Sequence, residues 1–254
     1  VTVVFLHGVP ETPAIWDGVR QHIPGDSIAL RLPGFGSARP EHLTGKDAYA
    51  DWLAGELRAI GGPIDLVGHD WGGHLAMRVV TAFDDVPVRS WVSDVAHGWH
   101  PDYRWHDAAT LWQGSPAGEE SLTGLRTATP GSGGTFGDIL QGRGMTPDIA
   151  KEVDAVHDET MSAAILTLYR SAWPNFHADW GQAITGPLTT PGLLLAPTGD
   201  MLSGVEQDED MARRLGAKLV KVEGLSHYWM LQQPAKGAEI LRDFWASIPG
   251  ATRS

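Results

Sequence analysis

Apolar residues along this chain fall into two alternating patterns. Short runs rich in β-branched residues predict strands at 1–6, 27–32, 64–67, 90–95, 192–196 and 218–222. Several of these runs are apolar at consecutive positions, as strands covered on both faces require. Between them, apolar residues recur at the helical period over 48–60, 73–83, 208–215 and 235–245. Strand and helix alternating in this way predict an α/β fold, with a doubly wound, mostly parallel sheet of about six strands. The rhythm breaks after the fourth strand. Residues 97–186 offer no convincing strand, only helical patterns at 104–113 and 147–172 around a Gly/Ser/Thr/Pro-rich loop at 127–137. We expect residues 1–96 and 187–254 to form the core. Residues 97–186 should form a helical lid over the C-terminal edge of the sheet, where open α/β sheets bind ligands.

Composition narrows the picture. The 254 residues are 42% hydrophobic, enough for one core with an inserted subdomain. The chain has no cysteine, which excludes disulfides and thiolate chemistry. A net charge of −12 argues against a nucleic-acid partner. No 18-residue apolar span is present, so no membrane crossing is expected. The first residues lack the basic start and cleavage site of a signal peptide, and a cytoplasmic protein is the expectation. Oligomeric state is not legible. Five of the eleven tryptophans fall in the insert: Trp99, Trp105, Trp112, Trp173 and Trp180. The ordinary role of each is packing; some are expected to line an apolar pocket.

The chemistry centres on Gly68-His69-Asp70-Trp71-Gly72-Gly73, between a predicted strand and a predicted helix. A nucleophile elbow needs this context, with small residues flanking a central residue on a strained turn. Backbone N–H groups and the helix dipole there favour a carboxylate. The plainer alternative is that Asp70 caps the following helix. Two distant segments favour the elbow. His7-Gly8-Val9-Pro10 closes the first strand, where Val9 N–H can form an oxyanion hole with Trp71 N–H. Gly224-Leu225-Ser226-His227 follows the last strand and supplies a histidine, the residue type most used as a general base. Histidine pairs among His97, His100 and His106 lack further ligands at good spacing, and no metal is expected. The run Leu32-Pro33-Gly34-Phe35-Gly36 is glycine-rich but lacks the spacing of a phosphate cradle.

Together these segments resemble the α/β-hydrolase fold family in its aspartate-nucleophile branch, which includes epoxide hydrolases and haloalkane dehalogenases. The family usually has two strands ahead of the His-Gly loop. This sequence starts in the strand leading into that loop, so either the sheet is trimmed or the natural N-terminus is missing. The resemblance implies that Asp70 attacks a saturated carbon to form an alkyl ester, which water activated by His227 then hydrolyses. A third carboxylate should orient the imidazole. Asp200 is favoured, with Asp94 as the alternative.

The resemblance further implies lid tyrosines as donors to an epoxide oxygen. Tyr169 in the Tyr169-Arg170 stretch is the candidate, Tyr103 a possible second, and Tyr228 a weaker third. Epoxide hydrolysis is favoured, since His7-Gly8-Val9-Pro10-Glu11 looks most like that group. A haloalkane dehalogenase, with Trp71 cradling the halide, is the alternative. A haloacid dehalogenase is disfavoured because Trp71 and His74 stand where that group has arginines. A ligand-binding protein of the same fold is the remaining reading. The expected substrate is small and apolar, with water as co-substrate and no cofactor. Its expected walls are Trp71, Trp105, Trp173 and Trp180.

Overall fold

The computed structural model describes residues 1–249. Its six strands form one parallel sheet in the order β2-β1-β3-β4-β5-β6. They are β1 (Thr2–Leu6), β2 (Ser27–Leu30), β3 (Ile64–Gly68), β4 (Val88–Ser93), β5 (Gly192–Pro197) and β6 (Lys218–Val222). Strands β3 and β5 are buried along their whole length, whereas the edge strands β2 and β6 are partly exposed. This gradient explains why β5 reads as a continuous apolar run, while β3 buries one carboxylate, Asp65, paired with Arg89 of β4.

Helices pack around the sheet. Helices α1 (Asp17–Arg20), α2 (Lys46–Ile60) and α3 (Trp71–Ala82) connect the first four strands. After β5 come α9 (Val205–Leu215), α10 (Trp229–Gln232) and α11 (Pro234–Ala246). Helix α3 packs against α2, while α1 packs against α10 and α11. Between β4 and β5 lie α4 (Asp107–Gln113), α5 (Ala117–Thr127), α6 (Phe136–Gln141), α7 (Pro147–Val156) and α8 (Glu159–Ser171), with no strand. The expected helix over 147–172 is two helices. His157 and Asp158 break it, and Asp158 caps α8 by accepting a hydrogen bond from Met161 N–H at 2.8 Å. No helix among the described residues is long and apolar enough to cross a membrane.

Topology brings the expected residues to one edge. Because all strands are parallel, the segments after β1, β3, β4, β5 and β6 leave the sheet on the same side. Those segments carry Val9, Asp70, Asp94, Asp200 and His227. The chain passes from β1 to β2 on one side and then returns to β3 on the other. The crevice between β1 and β3 is therefore the switch point at which open α/β sheets bind ligands.

Candidate active site

Asp70 joins β3 to α3 with φ 49° and ψ −124°. It is the only described non-glycine residue with positive φ. The turn persists because its neighbours are small. A Cβ at Gly72 would meet the Leu6 carbonyl of β1, and one at Gly8 would meet Asp70 itself. The chain thus holds a strained residue between two glycine-dependent close approaches, as an elbow requires. Asp70 does not cap α3 through its side chain. Instead its Oδ1 accepts a hydrogen bond from Val9 N–H at 2.9 Å. Trp71 is the first residue of α3, so its N–H is one the helix cannot satisfy.

His227 Nδ1 lies 2.8 Å from Asp200 Oδ2. This leaves Nε2 for the cavity that His227 and Asp70 both line. Asp94 is committed elsewhere. Its Oδ1 accepts from Asp70 N–H at 3.0 Å, and its Oδ2 meets His69 Nδ1 at 2.6 Å and Trp229 Nε1–H at 2.7 Å. Of the two candidate acids, Asp200 is the one paired with His227. Asp94 fixes the elbow and a buried histidine.

That histidine belongs to a network the sequence reading did not include. His69 Nε2 lies 3.2 Å from Glu11 Oε1, and Glu11 Oε2 accepts from Gly8 N–H at 2.9 Å. Glu11 and His69 are both fully buried. Burial alone would lower the His69 pKa, but Asp94 and Glu11 on its two nitrogens raise it well above the ordinary value. Two carboxylates clamp the buried His69 ring and favour its charged form, and the ring lies 4.5 Å from that of His227. Glu11, His69 and His227 lie close enough to suggest a metal cluster. Both His69 nitrogens already face carboxylates, Asp94 and Glu11. The only sequence trace of this network was that Glu11 and His69 sit inside the two motif segments.

Electrostatics at the two principal groups are coupled. Burial raises the Asp70 pKa above the usual carboxylate range, opposed by the charge of His227. Burial and the His69 charge push His227 down, but the Asp200 hydrogen bond and the Asp200 and Asp70 charges leave its pKa raised. Each of the pair favours the ionised form of the other.

The cavity over Asp70 has a volume of about 220 Å³. It is lined by Val9, Trp112, Phe136, Leu140 and Tyr169, among others. Tyr169 is buried on α8, and burial and the Asp70 charge push its pKa well above the ordinary value. It therefore stays a protonated donor. Trp71 packs its ring edge-on against Tyr169 at 5.3 Å, and its indole N–H faces the Tyr169 hydroxyl in poor hydrogen-bond geometry. On another side of Asp70 is a compartment of about 20 Å³, enough for one water. Tyr103, Trp105, His74, His97 and His106 line it with Asp70 and His227. Each expected tyrosine therefore shares a space with Asp70, Tyr169 the main cavity and Tyr103 the small compartment. Tyr228 lines the main cavity beside His227.

The expected tryptophan wall is only partly present. Trp71 lies behind Tyr169, and Trp105 walls the small compartment. Trp173 is 70% exposed to solvent, and Trp180 donates its Nε1–H to Asp47 at 2.7 Å. Neither reaches the cavity. Trp112, one of the five insert tryptophans but not among the expected walls, lines it with an unpaired Nε1–H. The reason lies in α8: its buried face presents Tyr169 to α4, where Trp112 meets it at 4.9 Å. The histidines weighed as metal ligands are otherwise engaged. His97 pairs with Asp208, His100 faces Asp210, and His106 accepts from Ala109 N–H as the cap of α4.

This fold and this elbow have relatives. Residues 3–240 match the alpha/beta hydrolase family, and the chain belongs to that family. Among solved structures it is similar to the haloalkane dehalogenase DbeA of Bradyrhizobium elkani, with TM-score 0.71 and 21% identity over 97% of this chain and 91% of that one. A thermophilic esterase from Thermogutta terrifontis gives TM-score 0.71 and 19% identity, over 97% of this chain and 89% of that one. The bottromycin epimerase BotH, solved with bottromycin A2, gives 0.69 and 22%, over 96% and 90%. No curated protein sequence matches this chain. The neighbours differ in their named chemistry, so the fold supports a hydrolase and leaves the reaction to the site.

Proposed function

We propose that this hydrolase acts through a covalent alkyl–aspartyl intermediate and that its substrate is an epoxide, opened to a vicinal diol. The observation that carries the reading is Asp70 at the apex of a strained elbow, in one cavity with His227 and Tyr169. The Asp70 oxygen not held by Val9 attacks a ring carbon. The carbon–oxygen bond breaks, and Tyr169 donates its proton to the departing oxygen. A hydroxyalkyl ester of Asp70 results.

Water then attacks the carbonyl carbon of that ester. His227 takes one of its protons, while Val9 N–H and Trp71 N–H hold the oxyanion. The proton on His227 passes to the leaving alkoxide. The new Asp70 carboxylic acid re-ionises as the Tyr169 phenolate regains its proton. The cycle consumes one water and calls for no cofactor. Forming the ester removes the Asp70 charge that helps raise the His227 pKa. Loss of that charge shifts His227 toward its neutral, basic form at the step that needs it. Asp200 orients His227 throughout, and helices α4–α8 act as the lid.

A haloalkane dehalogenase is the second reading. The unpaired Nε1–H of Trp112 favours it, since it is a buried donor suited to a halide. Intact-protein mass spectrometry of a His227→Gln variant separates the two. With its base removed, the enzyme should stall at the ester. An adduct equal to the whole mass of an epoxide supports the first reading. An adduct equal to a haloalkane less hydrogen halide supports the second. Absence of either adduct contradicts both.

A further inference from the structure

Among the described residues, Arg143 is the only lysine or arginine lining the cavity over Asp70. It also lines an outer cleft of about 390 Å³, together with Asp200, Leu202, Ser226, His227 and Gln232. Three residues, Arg143, Leu202 and His227, belong to both spaces, so Arg143 stands at the junction between them. Its backbone is fixed there. Arg143 N–H donates to the Leu140 carbonyl at 2.9 Å, and its own carbonyl accepts from Ser226 Oγ–H at 2.7 Å. The following residue, Gly144, has φ 100°, and a Cβ there would press on Ser226 Oγ. The loop carrying Arg143 is thus tied to the turn that carries His227.

Its side chain has no such tie. Among the described residues, the Arg143 guanidinium has no carboxylate partner and no hydrogen-bond acceptor. The acid in the outer cleft, Asp200, is already taken by His227. The Arg143 charge reaches the cavity wall, where it helps lower the pKa of His106 and opposes the rise at Tyr228. Asp70 is governed instead by burial, His227, Glu11, His69 and the Val9 N–H. A fixed loop thus presents an unmatched five-donor fork at the cavity's mouth, apart from the nucleophile.

We infer that Arg143 anchors an anionic group of the substrate, and that the group is a carboxylate remote from the reacting carbon. The apolar part of the molecule then lies along Trp112, Phe136 and Leu140, with its electrophilic carbon at Asp70. A guanidinium meets a carboxylate through two parallel charge-assisted hydrogen bonds, which a neutral amide cannot reproduce. The proposal adds an anionic group to the largely apolar substrate expected from the sequence and rests, for the reacting group, on the epoxide reading.

The test uses a graded series of ω-epoxyalkanoates and their matching primary amides. It compares wild type with Arg143→Gln and Arg143→Lys. Wild type should prefer the acid by at least about tenfold in kcat/KM, mainly through KM. Arg143→Gln should bring the acid-to-amide ratio near one, and Arg143→Lys should restore part of it. Binding of unreactive alkanoates and alkanamides to Asp70→Asn protein, followed by calorimetry, repeats the comparison without chemistry. If acids bind through Arg143 but neither epoxide series is turned over, the anchor stands and the epoxide reading falls. If both series are turned over with a ratio that Arg143→Gln leaves unchanged, the anchor is overturned and the epoxide reading stands.

Discussion

At the scale of single residues, two aspartates 106 positions apart in the chain are given opposite work by their surroundings. Both follow strands at the same edge, and sequence order alone ranks them only weakly. Asp200 meets His227 through one oxygen, while its other accepts from Leu202 N–H at 2.9 Å. Asp94 is 5% exposed and filled by three donors. Asp200→Asn should therefore slow turnover by about 10²–10⁴-fold with little change in melting temperature. Asp94→Asn should uncouple a buried charge and lower the melting temperature by roughly 10 °C. Steady-state kinetics and thermal melts on the two variants check this, and a reversed pattern contradicts it. Asp70, His227 and Tyr169 were legible because each sits in a motif segment. Glu11 and His69 were not, because nothing in a loop carboxylate announces a buried imidazole 58 residues away.

At the scale of elements, legibility followed burial. The six strands are short apolar runs, and the sheet is the part of the fold with least choice of partner. The helices around it kept a clean apolar stripe: α2, for instance, buries Tyr49, Leu53 and Leu57 on one face. Helices α5 and α6 were missed. Only Gly118 and Leu122 of α5 are buried, too few to give a periodic signal. Helix α6 has six residues and depends on a capping box between Thr135 and Asp138, inside a stretch whose composition reads as loop. These two helices frame the cavity through Ser121, Leu125, Phe136, Ile139 and Leu140. The lining was therefore the least legible part of the site, and the tryptophan wall was misjudged for the same reason.

At the scale of the whole molecule, the buried ionic network ties stability to pH. Burial would raise the Asp94 pKa, but the His69 charge and hydrogen bond and the Trp229 hydrogen bond lower it from 3.8 to about 2. A depressed folded pKa contributes stability above the unfolded value that is lost as pH falls through the folded one. Asp94 should thus contribute about 2 kcal/mol at neutral pH, lost between about pH 4 and pH 2. His69 has the opposite sign. Its folded pKa is raised well above 6.5, so its contribution is complete below that value and fades as pH rises through the folded pKa. Denaturant titrations from pH 2 to 7 should show the acid loss in wild type and a much smaller one in Asp94→Asn. An equal loss in both would remove Asp94 as its source. The family was legible at this scale because three motif segments fall at one sheet edge. The reaction was less so, since similar folds carry dehalogenase, esterase and epimerase names.

The central claim is that Asp70 itself forms a bond to the substrate. A single turnover in H₂¹⁸O, with enzyme in excess over an epoxide that gives the adduct, tests it most directly. Attack by Asp70 followed by hydrolysis at its carbonyl should deliver the heavy oxygen into the Asp70 side chain and leave the first diol unlabelled. Peptide mass mapping would then find the label on the peptide containing Asp70. Label in the first diol, with an unlabelled Asp70, would mean that water attacks the substrate directly and would contradict the account.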